Sequence, residues 1–351
     1  MNFKLEHYPL RFIQPAGTSR GVMHIKNSWF VTFTHNSISG KGEISIIEGL
    51  TKEWNDKEAF ERTILAFINE LSDKISSVGM PVKWEDLTRL IPELTNYPSI
   101  LFGLEVALMD WQNGGTAKIF NNSFTHQIRK IPINGLIWMG DEAHMLCQIE
   151  DKLMSGFTTL KMKVGAIDFE KEISILKSIR SRYSSSEITL RVDANGAFNS
   201  SNVHDRLNKL AELDIHSIEQ PIAPGQIELM SSLCKANIIP IALDEELIGI
   251  HSNMEKIKLL EQIRPQYIIL KPSLHGGILG TMEWIALAEE RKMNWWMTSA
   301  LESNVGLNAI CQLAGEYQNE LPQGLGTGSL YENNVPSLLT VQDGHIFLSD
   351  K

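Results

Sequence analysis

The residues TTLKMKVG, at positions 158–165, form a predicted β-strand that carries two lysines on one face. Side chains alternate along a strand, so Lys161 and Lys163 point one way while the apolar residues between them point the other. An apolar face opposite a cationic face fits a strand that packs under helices and lines a polar cavity. A solvated edge strand with two surface lysines would show the same pattern, so the neighbouring segments must distinguish the two.

Predicted strands and helices alternate on both sides of this stretch, with a period of about 25 to 30 residues. One apolar strand is predicted before it, at 131–137, and the later strands are predicted at 187–195, 215–221, 238–245, 266–272 and 295–300. A last short piece lies near Gly324-Leu325-Gly326. This order is typical of a parallel β/α barrel, with a doubly wound open sheet as the alternative.

The N-terminal third of the chain has a different order of elements. Strand-like segments occupy about the first 50 residues, and apolar residues at helical spacing follow from about 57 to 113. Strands followed by helices are typical of a separate α+β unit. Between the first strands, residues 15–21 are predicted to form a glycine-bracketed loop, either a flexible hairpin loop or a lid.

Composition narrows the class of protein. The chain has 351 residues and a net charge of −10, and it contains no basic run, which argues against a nucleic-acid-binding surface. Its three cysteines form no disulfide or zinc pattern, so buried, reduced thiols are expected. No apolar signal core and no run of membrane-spanning length are found. These features predict a soluble cytoplasmic protein without nucleic-acid or membrane partners; they say nothing about its oligomeric state.

Ionisable residues stand at the ends of the predicted barrel strands. The active site of a β/α barrel lies at the C-terminal ends of its strands. Five successive strands end there with the Lys161/Lys163 pair, Asp193, Glu219, Asp244 and Lys271. Because isolated buried charges are costly, five such residues in register indicate a functional site rather than a structural feature.

The residue types predict a specific chemistry. Three carboxylates on adjacent strands are hard oxygen ligands, which suit Mg²⁺. Lysines beside them suit the removal of a proton from carbon, because the enediolate that forms needs positive charge close by. Partial burial and a neighbouring like charge both lower the pKa of a lysine, which favours a neutral base. The net positive charge of the site favours a small anionic substrate such as a dicarboxylate.

These motifs resemble the muconate-cycloisomerase-like branch of the enolase superfamily. The residues that carry the resemblance are Lys161-Met162-Lys163, Asp193-Ala194-Asn195, Glu219-Gln220-Pro221, Asp244-Glu245 and Lys271-Pro272. The resemblance covers nearly the whole chain. It implies a (β/α)7β TIM-like barrel over 116–324 and an N-terminal α+β capping domain over 1–115, completed by the C-terminal tail at about 325–351.

The same resemblance implies roles for the site residues. Mg²⁺, with Mn²⁺ as a possible substitute, would be held by Asp193, Glu219 and Asp244. Lys163 would be the base, Lys271 would face it across the substrate, and Lys161 would give electrostatic support. A non-catalytic barrel is disfavoured, because a decayed enzyme would be expected to lose some of these residues.

Within the branch, the chain is most similar to the o-succinylbenzoate synthases. The similar segments are Ser299–Gly306 and Pro322–Gly328. Dipeptide epimerases typically carry Asp-x-Asp where this chain has Gly324-Leu325-Gly326, which counts against a substrate with an α-ammonium group. The resemblance implies the Mg-dependent syn-dehydration of 2-succinyl-6-hydroxy-2,4-cyclohexadiene-1-carboxylate in menaquinone biosynthesis. An N-acylamino-acid racemase, a dipeptide epimerase and a cycloisomerase of the same branch remain alternatives, since they share one site.

Additional residues are expected to bind substrate or to support the site. In the barrel these are Asn195, Glu245, Ser299, Leu301 and Gly326, and in the capping domain they are Thr18 and Arg20. Arg191 shares the strand parity of Asp193, so it is expected to face the barrel lumen near a carboxylate.

Overall fold

The computed structural model describes residues 1–18, 21–80, 82–165 and 167–349, without the side chain of Thr18. The N-terminal part contains strands β1 (Asn2–His7), β2 (Leu10–Thr18), β3 (Gly21–Lys26), β4 (Ser28–His35) and β5 (Ile38–Ser45), then helices α1 (Lys57–Val78), α2 (Leu87–Leu90) and α3 (Pro98–Gln112). Strands β1, β4 and β5 form an antiparallel sheet with β4 in the centre, while β2 and β3 form a separate hairpin. This is the predicted α+β unit.

Helices α1 and α3 and this sheet share one apolar core. Asp56 begins α1 by accepting a hydrogen bond from Ala59 N (2.8 Å), and the buried residues of α1 recur at helical spacing. Helix α3 lies unusually close to β5. A Cβ atom added to Gly42 would lie only 1.9 Å from the carbonyl oxygen of Gly103. Only glycine fits this position.

The rest of the chain alternates strand and helix as predicted. Its elements are β6 (Ile131–Pro132), β7 (Gly135–Ile137), α4 (Glu142–Met154), β8 (Thr159–Lys163), α5 (Phe169–Arg180), β9 (Thr189–Asp193), α6 (Val203–Ala211), β10 (Ser217–Glu219), α7 (Ile227–Ala236), β11 (Ile241–Leu243), α8 (Asn253–Ile263), β12 (Tyr267–Leu270), α9 (Gly277–Glu290), β13 (Asn294–Met297), α10 (Asn304–Gly315), β14 (Leu339–Gln342) and β15 (His345–Leu348). Strands β7 to β13 form one parallel sheet in chain order.

A short segment closes this sheet into a barrel. Gln323 forms a parallel bridge with Ile133 on one side, and Gly324 forms one with Thr298 on the other. A Cβ at Gly324 would lie 2.4 Å from the Thr298 hydroxyl oxygen, so the closure depends on glycine. The predicted (β/α)7β barrel with an N-terminal α+β unit is confirmed.

The stretch at 158–165 has the predicted two faces. Leu160, Met162 and Val164 are buried in the core that the sheet shares with its surrounding helices. Lys161 and Lys163 point to the other side, into the barrel lumen. The apolar and cationic faces therefore correspond to the outside and the inside of the barrel sheet.

Three details differ from the sequence prediction. The strand predicted at 131–137 is split into β6 and β7, since Pro132 cannot donate to a sheet, while Ile133 N donates to Gly344 O and Asn134 N donates to Gln323 O. Most of the loop predicted at 15–21 belongs to the hairpin, because β2 continues to Thr18. Cys147 is exposed on the outer side of α4, whereas Cys234 and Cys311 are buried; all three are free.

The C-terminal tail contacts both units. Strands β14 and β15 pair with each other and then with β6 at the start of the barrel. Residues 330–333 lie along β2 of the N-terminal hairpin. The division of the chain at about residue 115 stays a prediction. Within the described residues, no helix combines the length and apolar character needed to cross a membrane.

Candidate active site

A cavity of about 370 Å³ lies at the carboxyl ends of the barrel strands. The barrel contributes the charged residues Lys161, Lys163, Asp193, Glu219 and Lys271 to its lining, and the capping unit contributes Lys26 and Glu48. The other side is covered by β3 of the hairpin, which lines the cavity from Gly21 to Lys26. Except for Asp244, which is fully buried, the predicted strand-end residues therefore meet in one cavity between the barrel and the capping unit.

Strands β8, β9 and β10 bring two lysines and two carboxylates into direct contact. Lys161 Nζ lies 2.9 Å from Asp193 Oδ2 and also pairs with Glu219 on the next strand. Lys163 Nζ lies 3.0 Å from the same oxygen of Asp193 and donates to Asn195 Oδ1 (2.6 Å). The pairing follows from register, because Lys163 is opposite Asp193 and Asp193 is opposite Glu219.

Lys271 and Asp244 form a second ion pair on neighbouring strands. Asp244 is fully buried, and Lys271 is the member of the pair that reaches the cavity wall. Gln220 positions this region, since its Oε1 accepts from the backbone N–H groups of Asp244 and Glu246 (both 3.2 Å). Glu245 is held by Asn195, whose Nδ2 donates to Glu245 Oε1 (3.0 Å).

The strand order places two of the cavity lysines, Lys163 and Lys271, opposite each other. Lys163 ends β8 and Lys271 follows β12, four positions further along the sheet. With the closing segment at Gln323–Gly324 as the eighth member, four positions are half of the ring. Strands β9, β10 and β11, which lead into Asp193, Glu219 and Asp244, lie between the two lysines.

The pKa directions reflect burial opposed by close charges. Burial alone would raise the pKa of Asp193, but the positive charges of Lys161 and Lys163 outweigh it and hold that pKa below its usual range. Burial lowers the pKa of Lys161, yet Asp193 and Glu219 outweigh this effect and the pKa lies above its usual range. These two carboxylates therefore favour the charged form of Lys161.

For Glu219 the two largest effects on the pKa act in the same direction, whereas for Lys271 burial and nearby charges are opposed. The pKa of Glu219 is raised well above its usual range, first by burial and then by the negative charge of Asp193. For Lys271, burial lowers the pKa, but the charges of Asp244 and Glu245 more than compensate and raise it. Asp193, Glu219 and Asp244 are thus close enough to affect one another's protonation.

The backbone bends sharply where two strands end. Asn195 and Gln220, each just beyond a carboxylate, have φ values of 44° and 39°. Positive φ is uncommon for residues with a side chain, and such conformations are concentrated at functional sites. Here the bends direct Asn195 to Lys163 and Gln220 to the loop after β11.

The other residues predicted to bind substrate or support the site lie in different places. Ser299, Leu301 and Gly326 line the cavity, and the Ser299 hydroxyl bonds to that of Thr327 (2.7 Å). Arg191 is buried, donates to Pro322 O (2.7 Å) and lies over the ring of Trp296, so it supports the cavity wall. Burial lowers its pKa to about 10. The side chain of Thr18 and the whole of Arg20 lie outside the described residues.

Several residues of the cavity wall were not predicted from the sequence. Asn134 precedes β7, but it shares the strand parity of Leu136 and Trp138, which also line the cavity, so side-chain alternation could have identified it. Lys26 comes from the hairpin and is buried against Ser45. Burial lowers the pKa of Lys26, against the opposing charges of Glu43 and Glu302. No local pattern predicts this placement, because it depends on how the capping unit sits on the barrel.

The strand-end carboxylates Asp193, Glu219 and Asp244 are the groups that could bind a divalent cation. As arranged in the described part of the chain, no three His, Cys, Asp or Glu side chains are placed to hold a metal ion. Lys161 and Lys271 contact the carboxylate oxygens instead. However, Glu219 Oε1 and Asp244 Oδ1 are buried without a hydrogen-bond partner in the described structure. Buried unpaired oxygens are costly, and a hard cation would satisfy them, so the donor set fits Mg²⁺ in competition with the lysines.

Comparison with known proteins identifies a family and several relatives. Residues 144–351 match the family described as "Enolase C-terminal domain-like". The chain is 43% identical over 371 residues to an o-succinylbenzoate synthase from Desulfotalea psychrophila, with 99% of each chain covered. It is also 26% identical to an o-succinylbenzoate synthase from Thermosynechococcus vestitus, covering 93% of this chain and 92% of that one.

Two solved structures resemble this chain over nearly its whole length. A crystal structure of MenC from Desulfotalea psychrophila has a TM-score of 0.84 and 39% identity, and it covers 99% of both chains. An L-Ala-D/L-Glu epimerase from Bacillus subtilis has a TM-score of 0.85 at 22% identity, covering 99% of this chain and 96% of that one. At that identity, the second likeness shows the fold alone.

Proposed function

The chain belongs to the o-succinylbenzoate synthases of the enolase superfamily, which are hydro-lyases, and from this membership we propose the reaction that it catalyses. The reaction is the syn-dehydration of 2-succinyl-6-hydroxy-2,4-cyclohexadiene-1-carboxylate to o-succinylbenzoate, a cytoplasmic step of menaquinone biosynthesis. The observation that carries the proposal is the pair of lysines, Lys163 and Lys271, on opposite sides of one cavity with three carboxylates on the strands between them.

Lys163 is proposed as the base and then as the acid. As a neutral amine it accepts the proton from the carbon that bears the ring carboxylate, and the resulting ammonium donates a proton to the hydroxyl group. The carbon–oxygen bond then breaks, water leaves, and the electron pair of the former C–H bond completes the aromatic ring. Because one nitrogen acts at both positions, proton and hydroxyl leave from the same face. Asn195 fixes the amine through its 2.6 Å contact.

Lys271 and Lys161 are proposed to act as cations throughout. Lys271 faces the substrate from the other side, where its ammonium stabilises the enediolate. Its pKa, raised by the nearby acids against the effect of burial, agrees with this role. Lys161 stays close to Asp193 and Glu219 and offsets part of their negative charge.

Asp193, Glu219 and Asp244 are proposed to hold Mg²⁺, with Mn²⁺ as a substitute. When bound, the ion would offset the negative charge of the substrate carboxylate and of the enediolate. The support is the oxygen-only donor set and the unpaired buried oxygens of Glu219 and Asp244. Ser299, Leu301 and Gly326 are proposed to contact the rest of the substrate, since all three line the cavity.

The test is direct turnover of the cyclohexadiene substrate. With Mg²⁺ present, loss of the diene absorbance and appearance of o-succinylbenzoate are expected, and EDTA should stop both. Absence of turnover by a folded, metal-supplemented protein would refute the proposal.

An N-acylamino-acid racemase is the second candidate, because two facing lysines could also serve as an acid–base pair. A Thermus thermophilus N-succinylamino acid racemase is 31% identical over 199 residues, covering 56% of this chain and 51% of that one. Deuterium exchange at the α-carbon of an N-succinylamino acid in D₂O, without diene turnover, would favour this candidate.

A further inference from the structure

Tyr331 connects one wall of the cavity, at Leu301, to the hairpin that covers the cavity. Its hydroxyl donates to the carbonyl oxygen of Leu301 (2.7 Å). Its ring lies 4.7 Å, centroid to centroid, from that of Phe12 in the hairpin, and the two residues form an antiparallel bridge. Tyr331 is only 5% exposed, so both contacts are shielded from water.

Leu301 has an unusual backbone conformation. Its φ is 60°, which is in the left-handed region that residues with a side chain rarely adopt. Such a conformation persists only where the surroundings enforce it, and it often marks a functional position. Leu301 lines the cavity and packs in an apolar cluster with Phe12, Ala16 and Tyr331. Its own N–H contacts Ser299 Oγ at 3.4 Å.

The segment around Tyr331 also holds the hairpin. Ile13 N donates to Leu330 O (2.9 Å), and Glu332 N donates to Arg11 O (3.0 Å). Arg11 N donates in turn to Asn333 Oδ1 (2.8 Å). Residues 330–333 thus extend the hairpin whose other strand, β3, covers the cavity. Tyr331 is the side chain of this segment that reaches Leu301.

We propose that Tyr331 is a positioning residue for substrate binding. Its hydroxyl holds the Leu301 carbonyl and thereby keeps Leu301 in the left-handed conformation that shapes one wall of the cavity. Because the ring also packs on Phe12, the same residue sets the distance between this wall and the hairpin. The inference rests on the proposed function only for the identity of the substrate.

The test is Tyr331→Phe, which keeps the ring packing and removes one hydrogen bond. We expect KM for the cyclohexadiene substrate to rise about tenfold, the value of one lost buried hydrogen bond, while kcat changes by less than about twofold. Tyr8→Phe is the matched control, since Tyr8 Oη donates to Asn333 O (2.6 Å) in the same segment. This control should leave KM within about twofold of the wild type.

A double variant tests whether Tyr331 acts through Leu301. Glycine adopts positive φ without strain, so Leu301→Gly no longer needs to be held. In the Leu301→Gly background, Tyr331→Phe should therefore produce no additional change in KM. Additive effects, an unchanged KM in Tyr331→Phe, or an equal effect of Tyr8→Phe would overturn the proposal.

Hydrogen–deuterium exchange separates this proposal from the proposed function. Without any substrate, amide exchange in residues 299–303 should be faster in Tyr331→Phe than in the wild type or in Tyr8→Phe. If the wild type failed to turn over the diene, the proposed function would fall, yet faster exchange would still support the positioning role. Unchanged exchange would overturn it.

Discussion

Buried carboxylates occur in two regions of the molecule, and their partners differ. At the barrel strand ends, Asp193, Glu219 and Asp244 pair with lysine side chains. Where the capping unit meets the barrel, Glu43 and Glu105 are also buried, but they accept hydrogen bonds from the first turns of barrel helices. We call this second region the seam, defined by Glu43, Glu105 and the N-termini of α9 and α10.

The two seam carboxylates hold main-chain groups. Glu43 accepts from the backbone N–H groups of Ser303 and Gly306 (both 2.9 Å) at the start of α10. Glu105 accepts from Ile278 N (2.5 Å) and Leu279 N (3.3 Å) at the start of α9. Helix N-termini carry partial positive charge and unpaired N–H groups, so they can bind a carboxylate without a cation.

The two kinds of partner predict different effects of substitution at the strand ends and at the seam. An ammonium group on a flexible side chain can be exchanged for a metal ion or a substrate, whereas a helix N-terminus cannot move away without disturbing the helix. Changes at the strand ends should therefore reduce activity and leave the fold intact. Changes at the seam should reduce the free energy of unfolding and leave the activity of each folded molecule nearly unchanged.

The largest effect is expected from Lys163→Ala. Loss of the proposed base should lower kcat by a factor on the order of 10³, because no other group replaces its two proton transfers. Steady-state turnover of the cyclohexadiene substrate measures this, and circular dichroism should show an unchanged fold. Lys171→Ala, at an exposed position of α5, is the control and should keep full activity. Retained turnover in Lys163→Ala would refute the assignment of the base.

The next effect is expected from metal binding. If Mg²⁺ binds the carboxylates, a concentration a hundredfold above Kd should stabilise the wild type by about 2.7 kcal/mol. Glu219→Gln should abolish most of this stabilisation, since it removes a charged ligand. Chemical denaturation with and without Mg²⁺ gives the result without any activity assay. The exposed Glu212→Gln is the control, and an equal response of both variants would contradict the metal site.

The strand-end region was predictable because strand register decides which residues meet. Once the order of strands is known, Lys163, Asp193 and Glu219 must be neighbours, and they are. Asn134 precedes β7 and is not a strand-end residue, but its parity with Leu136 and Trp138 could have placed it on the cavity face.

The seam and the hairpin were not predictable for the opposite reason. Glu43 and Gly306 are 263 residues apart, and Glu105 and Ile278 are 173 apart. No local periodicity links such positions, because their contact depends on how two folded units dock. The positions of Tyr331 and Lys26 could not be predicted for the same reason. Arg191 shows an intermediate case: its strand parity was informative, but its partners, Pro322 and Trp296, were not foreseen.

At the seam, Glu43→Ala should destabilise the protein without inactivating it. The change leaves the buried N–H groups of Ser303 and Gly306 and the Ser28 hydroxyl without their acceptor. Unfolding in urea should show a loss of about 3 kcal/mol. The exposed Glu70→Ala should have almost no effect. If Glu43→Ala instead lost turnover at unchanged stability, the distinction between the two regions would fail.

The smallest change, counted per pH unit, is expected from Glu105, whose contribution to stability depends on pH. Burial raises the pKa of Glu105 from 4.5 to about 8, against the opposing effect of its two backbone hydrogen bonds. Between these two pH values the folded state keeps a proton that the unfolded state releases. The contribution of Glu105 to stability is therefore fully present below pH 4.5 and declines as pH rises toward 8, by at most about 1.4 kcal/mol per pH unit.

Glu105→Gln should remove this decline, because the amide does not titrate. Urea unfolding at several pH values between 5 and 8 measures the slope of stability against pH, which should be less negative in Glu105→Gln than in the wild type. Glu219 and Glu245, whose pKa values are also raised by burial, are present in both proteins, so the difference in slope isolates Glu105. Glu70→Gln should keep the wild-type slope. An identical slope in Glu105→Gln would show that Glu105 is ionised in the folded protein, paired with the N-terminus of α9 as firmly as a strand-end carboxylate is paired with its lysine.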